Sequence, residues 1–303
     1  MLKSMLTRLS KSFAALAAAT VALSPLAAKA PAAVAAKPAL WQIKDKDTTI
    51  YLFGTIHLLP KGTEWRTAKF NQASASAQSL VVETVIDEAN PTPAIAAMMK
   101  LAVSPNLPPI LDRVAPDKRA ALAAMIARSG MPAGVLDKLE TWAAGMLLTG
   151  VTFKDLGLDP NSGVETSLKS EFKAAAKPID QLETNAEQFG FFDTLPEGAQ
   201  RKFLESVLED PAKGRAQFYT MLGVWERGDA KAMGESFNRE LADSPELRDN
   251  LLRKRNANWN LWLQRRMQQP GTVMVAVGAG HLSGGDSVIS MLEKAGYKVK
   301  RVQ

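Results

Sequence analysis

Two hydrophobic periods alternate along this chain, and their order predicts a sheet interrupted by helices. Residues 40–44 and 48–54 are apolar-rich arms around Asp45-Lys46-Asp47, the second dense in β-branched and aromatic side chains. That pattern reads as a β-hairpin. Trp65, Ala68, Phe70 and Ala73 recur at helical spacing over residues 65–77, and residues 80–84 return as a short strand ending in Glu83 and Thr84. A strand, a helix and a strand of this length fit a βαβ crossover. From 91 to about 268 the spacing is almost wholly helical, broken by Pro and Gly clusters. It predicts helices over 93–103, 116–129, 142–148, 163–176, 185–194, 198–208, 212–227, 230–240 and 246–268, with a short strand from 177 to Leu182. The end of the chain returns to strand 272–278, helix 286–295 and strand 298–302. The expected class is therefore α/β (α+β): a central, mostly parallel or mixed sheet flanked by helices, with a large helical insertion at about 91–268.

The start of the chain has a different pattern. Lys3, Arg8 and Lys11 precede an apolar stretch from Phe13 to Leu23, which Pro25 interrupts before a run of small residues. The stretch is too short to span a bilayer and has the order of a secretory signal peptide, taken here as residues 1–35. The remaining 36–303 are expected to form one domain, exported to the periplasm or secreted, with no membrane span after cleavage.

That leader changes the charge argument. The chain carries 37 basic and 31 acidic residues, net +6 with neutral histidines. Lys3, Arg8, Lys11 and Lys29 lie before Pro31 with no acidic residue among them, so the remainder carries 33 basic against 31 acidic, net +2. The basic balance is largely a targeting feature and gives no support for a nucleic-acid partner. There is no cysteine, which excludes disulfides, thiolate metal sites and cysteine nucleophiles.

The chain has two histidines, and both end apolar strands in the same frame: Gly54-Thr55-Ile56-His57 and Gly278-Ala279-Gly280-His281. Open α/β sheets place ligand sites beyond the carboxyl ends of their strands. Glu83 occupies the equivalent end of the strand at 80–82. Two imidazoles and a carboxylate form a common donor set for a water-activating metal site with open positions. With no cysteine and no third histidine, further ligands must be oxygen, which favours Mn, Co, Fe or Zn. The plainer alternative is two structural histidines and an exposed Glu83. Gly54 and Gly278 permit close backbone approach or positive φ, and Gly280 leaves room beside His281. The amides that open the last helix, after Gly284-Gly285, are suited to an anionic group, and Asp286 is expected to cap that helix.

Phe53-Gly54-Thr55-Ile56-His57, Val82-Glu83-Thr84, Leu182-Glu183-Thr184 with Glu187-Gln188, Arg255-Asn256 and Val277-Gly278-Ala279-Gly280-His281-Leu282 follow in this order. In that order they resemble the TraB/GumN family, which includes the Tiki metal-dependent proteases. The likeness runs over nearly the whole chain after the leader, to Ala295-Gly296-Tyr297-Lys298-Val299. It implies a fold akin to the haem-binding ChaN and erythromycin esterase group, with a sheet of two related halves. It also implies that His57, His281 and Glu83 match the family's functional positions, and, for the Tiki branch, divalent-metal-dependent peptide hydrolysis.

The expected function is a metal-dependent hydrolase, most simply a peptidase, acting on a peptide or small-molecule substrate. His57, His281 and Glu83 would bind the ion, and Glu83 would serve as ligand or general base. Arg255 would stabilise developing negative charge, unless it belongs to a solvated helix face with Arg253, Lys254, Arg265 and Arg266. Glu183 and Gln188 either line the substrate site or pin the helical insertion to the sheet. The alternative is a non-enzymatic binding protein holding haem or another ligand at the sheet edge. A metal-free esterase is a third reading. A Ser283–His281 triad is weaker because no GxSxG elbow is present.

Overall fold

A computed structural model describes residues 36–87, 90–104, 106–158, 162–208, 210–242 and 244–303. The expected signal peptide, residues 1–35, lies outside the described residues.

Six strands form one mixed sheet in the order β4-β3-β5-β2-β1-β6. The hairpin arms are β1 (Leu40–Lys44) and β2 (Thr48–Thr55), antiparallel with Leu40 opposite Phe53. Their turn is closed by Asp45, whose carboxylate accepts the Thr48 N–H at 2.8 Å, the local bond that makes Asp a turn residue. β3 (Ser79–Val82), β4 (Ile179–Gln181) and β5 (Gly271–Gly278) run parallel to β2, while the short β6 (Lys300–Arg301) pairs antiparallel with β1. Side chains alternate between two cores, as a pleated strand requires. Phe53, Leu80, Val82, Met274 and Ala276 face one, and Ile50, Leu52, Val81, Val273, Val275 and Val277 face the other. Because both faces are covered, β3 and β5 read as continuous apolar runs rather than as alternating ones.

The β2–β3 crossover contains α1 (Ala68–Ser76), capped by the Thr67 hydroxyl, which accepts the Phe70 N–H at 3.1 Å. Trp65 lies before this helix rather than in it, and closes a ring cluster with Phe53 and Phe70 at centroid distances of 5.5 and 4.9 Å.

The insertion begins with α2 (Thr92–Ala102), α3 (Arg119–Ser129), α4 (Ala133–Leu136) and α5 (Thr141–Asp155). Then come α6 (Val164–Ala174), α7 (Asn185–Asp193), α8 (Glu197–Ser206), α9 (Pro211–Glu226) and α10 (Ala230–Glu240). Part of it has its own core around Trp142, Leu122, Leu136, Leu148 and Leu204. The long helix expected at 246–268 is instead α11 (Pro245–Arg248), a π-helical stretch (Asp249–Lys254) and α12 (Arg255–Arg266). Beyond β5 comes a 3-10 turn (Ala279–Leu282) and α13 (Val288–Lys294). Asp286 does not cap α13. Ser287 does, its side chain accepting the Ser290 N–H at 3.1 Å, and Asp286 pairs with Arg248 at 2.7 Å.

A candidate site where three strand ends meet

β2, β3 and β5 are parallel neighbours, so their carboxyl ends open on one edge. Thr55 pairs with Gly278 and Val82 with Ala276. His57 follows the end of β2 by two residues, Glu83 follows β3 directly, and His281 lies in the 3-10 turn after β5. The sheet thereby gathers residues separated by up to 224 positions of chain.

Gly278 marks the meeting point. A Cβ at this position would stand 3.1 Å from Glu83 Oε1 and 3.6 Å from both His281 Cδ2 and His57 Nε2. Its φ is not positive; the glycine is required by crowding, and the Cβ-sized gap it leaves is where the three side chains converge. Gly54 serves close approach too, since a Cβ there would stand 3.1 Å from Ala279 Cα.

Glu83 is buried and satisfied at both oxygens. Oε1 accepts the Gly278 N–H at 2.7 Å and Oε2 accepts from Arg255 Nη2 at 2.5 Å. Burial pushes its carboxyl up, but Arg255 above all, with His57 and the Gly278 amide, outweighs it and holds the group well below the usual carboxylate range. Arg255 is buried, not on a solvated face. Its Nε donates to both Glu183 oxygens at 3.0 and 3.1 Å, and Nη2 to Glu183 Oε1 at 2.5 Å. Glu183 also accepts from Trp259 Nε1 at 3.1 Å. Burial pushes the Glu183 carboxyl up. Arg255 rests over the Trp259 ring, 4.8 Å from its centroid, a cation–π contact.

His281 is enclosed by the same group. Its Nδ1 lies 2.6 Å from Asn256 Oδ1 and its Nε2 3.2 Å from Arg255 Nη1. A guanidinium only donates, so the ring is the neutral tautomer that donates from Nδ1 to Asn256 and accepts at Nε2. Burial lowers its pKa to about 3.

His57 is the opposite case: 65% of its side chain is exposed. Its Nδ1 lies 2.7 Å from Glu165 Oε1, which also accepts from the Thr55 hydroxyl. Glu165 draws the His57 pKa upward, and the exposed face tempers the size of that shift but not its direction. A cleft of about 310 Å³ opens beside the ring, lined by His57, Glu83, Thr84, Glu165, Lys169 and Gln188 among others.

The residues expected from sequence fall into two layers. His57, Glu83 and Gln188 line the cleft, with Gln188 Nε2 3.5 Å from Glu83 Oε2. His281, Arg255 and Glu183 lie buried behind it. Asn256, Trp259, Thr55 and Glu165 complete the arrangement and were not among the expected site residues. Asn256 stands in the Arg255-Asn256 pair that carries the family resemblance, which was the available signal for it; helix propensity does not single it out from Asn258 and Asn260 of the same helix. Glu165 offered none, because an acid in the first turn of a helix is ordinary. Ser283 belongs to no triad: its hydroxyl donates to the Ala279 carbonyl at 2.8 Å. Among the described residues no three His, Asp or Glu side chains stand together as an ion-enclosing group; Arg255 lies between His281 and Glu83 and contacts both.

With this geometry in hand, the chain matches the TraB/PrgY/gumN family over residues 39–301. It belongs to that family. It is also 24% identical over 242 residues to YbaP of Escherichia coli K12, a protein described as uncharacterized. That match covers 80% of this chain and 87% of YbaP, and the Shigella flexneri protein of the same name matches equally. No solved structure matches. Among the described residues, no helix is long and apolar enough to cross a membrane.

Proposed function

We propose that this TraB/PrgY/gumN family protein is an exported, metal-dependent hydrolase of peptide bonds. The observation that carries the reading is the convergence of His57 Nε2, His281 and Glu83 Oε1 around the Cβ-sized gap at Gly278. The donor chemistry fits a divalent ion. Each imidazole commits Nδ1 to an oxygen, Glu165 for His57 and Asn256 for His281, which is how metal-ligating histidines are oriented. That leaves Nε2 of each ring and a carboxylate held ionised by its surroundings. His57, His281 and Glu83 would hold the ion, which when bound lowers the pKa of a water and polarises a carbonyl.

Arg255 and such an ion compete for the same partners, because the guanidinium faces His281 Nε2 and Glu83 Oε2. Glu183 accepts three hydrogen bonds from the guanidinium edge and would retain Arg255 if an ion took those partners. From there Arg255 supplies positive charge to an oxyanion developing at the cleft floor. Glu83, ionised and bonded at both oxygens, is suited to holding charge rather than to relaying a proton, since a base works best with a pKa near the working pH. Gln188, at the cleft wall, offers amide hydrogen-bonding groups to a peptide backbone.

The test is turnover of a peptide library by the purified chain lacking residues 1–35, with metal content measured before and after EDTA. Cleavage lost to EDTA and restored by Mn or Co supports the reading, as does equal loss in His57→Ala and His281→Ala. Turnover unaffected by EDTA, or stoichiometric haem binding without turnover, overturns it.

A further inference from the structure

His57 sits on an exposed turn, and a ring so exposed ordinarily samples several rotamers. Its restraint comes from the helical insertion. The first turn of α6 packs on the β2 end: Val164 N–H donates to the Ile56 carbonyl at 3.2 Å, and a Cβ on Gly163 would collide with the His57 carbonyl oxygen. That main-chain contact presents Glu165 to the ring at 2.7 Å, with the Thr55 hydroxyl fixing the same carboxylate oxygen from β2. Among the described residues Glu165 is the hydrogen-bond partner of the His57 ring. Its second oxygen, Oε2, is buried at the cleft wall and has no hydrogen-bond partner among the described residues. A buried carboxylate oxygen without a partner costs stability; what holds Glu165 here is the other oxygen, which accepts from the Thr55 hydroxyl and from the His57 ring.

We infer that Glu165 is a positioning residue: it accepts from His57 Nδ1–H, with Thr55 bracing it, and so aims Nε2 at the Gly278 gap. The inference rests on His57 being a site residue, as proposed above. Without Glu165 the ring has no anchor, and an imidazole free to turn presents Nε2 toward the gap only part of the time. A residue of the insertion thereby sets the geometry of a residue of the sheet.

The experiment uses protein labelled with 15N-histidine. Two histidines give two Nδ1–H resonances, assigned with His57→Gln. The His281 resonance, held by Asn256, is an internal reference for an intact fold. The expected result is a slowly exchanging His57 Nδ1–H signal in the unsubstituted protein, retained in Glu165→Gln, whose amide oxygen can still accept, and lost in Glu165→Ala while the reference remains. Affinity for Mn is expected to fall about 10–100-fold in Glu165→Ala, the usual effect of removing such a partner. Absence of the His57 signal from the unsubstituted protein, or its persistence in Glu165→Ala, overturns the inference. Unchanged Mn affinity in Glu165→Ala also overturns it. If the unsubstituted protein binds no Mn while the resonances behave as expected, the positioning role stands and the metal reading falls.

Discussion

The two imidazoles of this chain are driven in opposite directions by their surroundings, and that contrast can be measured without a substrate. His281 is buried, accepts from Arg255 and is kept neutral, its pKa lowered to about 3. His57 is exposed but faces Glu165, which draws its pKa upward, toward about 9. In the metal-free protein, carbon–proton NMR of the two rings should show one titration far below 6.5 and one well above it. Two titrations near that ordinary value would refute the described environments. Each shift also has a sign in stability. An unfolded chain binds a proton at His281 from about pH 6.5 downward while the folded one does not, so stability falls as pH drops from 6.5 toward 3. The His57–Glu165 pair contributes fully below 6.5, and that contribution is lost as pH rises through about 9. Chemical unfolding at a series of pH values should therefore show a maximum on the acid side of neutral, and His57→Gln should flatten its alkaline limb. Arg255 gives a larger effect. Arg255→Ala leaves Glu83 and Glu183 buried together without a cation, a change worth about 3–5 kcal/mol of destabilisation. Arg255→Met combined with Glu183→Gln should recover part of that loss, as read by denaturant midpoints.

The secondary elements were legible where local pattern and tertiary packing agree. The hairpin, the βαβ unit, the helix at 185 and the terminal strand–turn–helix all follow from hydrophobic period and turn residues, although the last helix is capped by Ser287 and not by Asp286. Thr184 accepts the Glu187 N–H while Glu187 accepts the Thr184 N–H, a capping box visible as Thr-x-x-Glu. The departures have physical causes. The spacing predicts a helix over 142–148, but α5 runs on to Asp155 through Thr149, Gly150 and Thr152, residues of poor helix propensity carried by neighbours such as Leu148 and Val151 that pack in the insertion's core. The 246–268 pattern hides a π-helical stretch, because one slipped hydrogen bond leaves no mark on composition. A π turn carries an extra residue and so rotates the rest of the helix by about 100°. It stands directly before Arg255 and Asn256, two residues of α12 that reach the site. Two glycines test this level. Gly150 is exposed with open space around its missing Cβ, so Gly150→Ala should stabilise by up to about 1 kcal/mol. At Gly163 the new Cβ would strike the His57 carbonyl, and main chain cannot rotate aside as a side chain can. Gly163→Ala should destabilise by about 1–3 kcal/mol or more and shift the His57 ring resonances, whereas Gly150→Ala leaves them in place. Equal melting temperatures for the two variants would disprove the docking of α6 on the β2 end.

At the scale of the molecule, the sheet brings together residues that the chain separates. β5 is inserted between β2 and β3, so the first and last GxxH segments and Glu83 share one edge although about 190 residues of mostly helical chain lie between β3 and β5. The pairing of the two GxxH strands was readable from their repeated pattern, and Glu83 from its place at the next strand end. Neither the enclosure of His281 by Arg255 and Asn256 nor the role of Glu165 was readable, because both depend on how the insertion folds back, and no local period encodes that. The consequence is thermodynamic. A ligand that bridges His57, Glu83 and His281 stabilises only the state in which β2, β3 and β5 are assembled, by an amount set by its concentration over its dissociation constant. At a hundredfold excess over that constant the gain is about 2.7 kcal/mol, several degrees in melting temperature for a chain of this size. Mn or Co should therefore raise the melting temperature of the unsubstituted protein and slow amide exchange at all three strand ends together. In His57→Gln and in His281→Gln both effects should disappear, since two remaining donors leave the bridge open. Protection confined to one strand end would mean that the ion binds locally and that the three ends do not form one site.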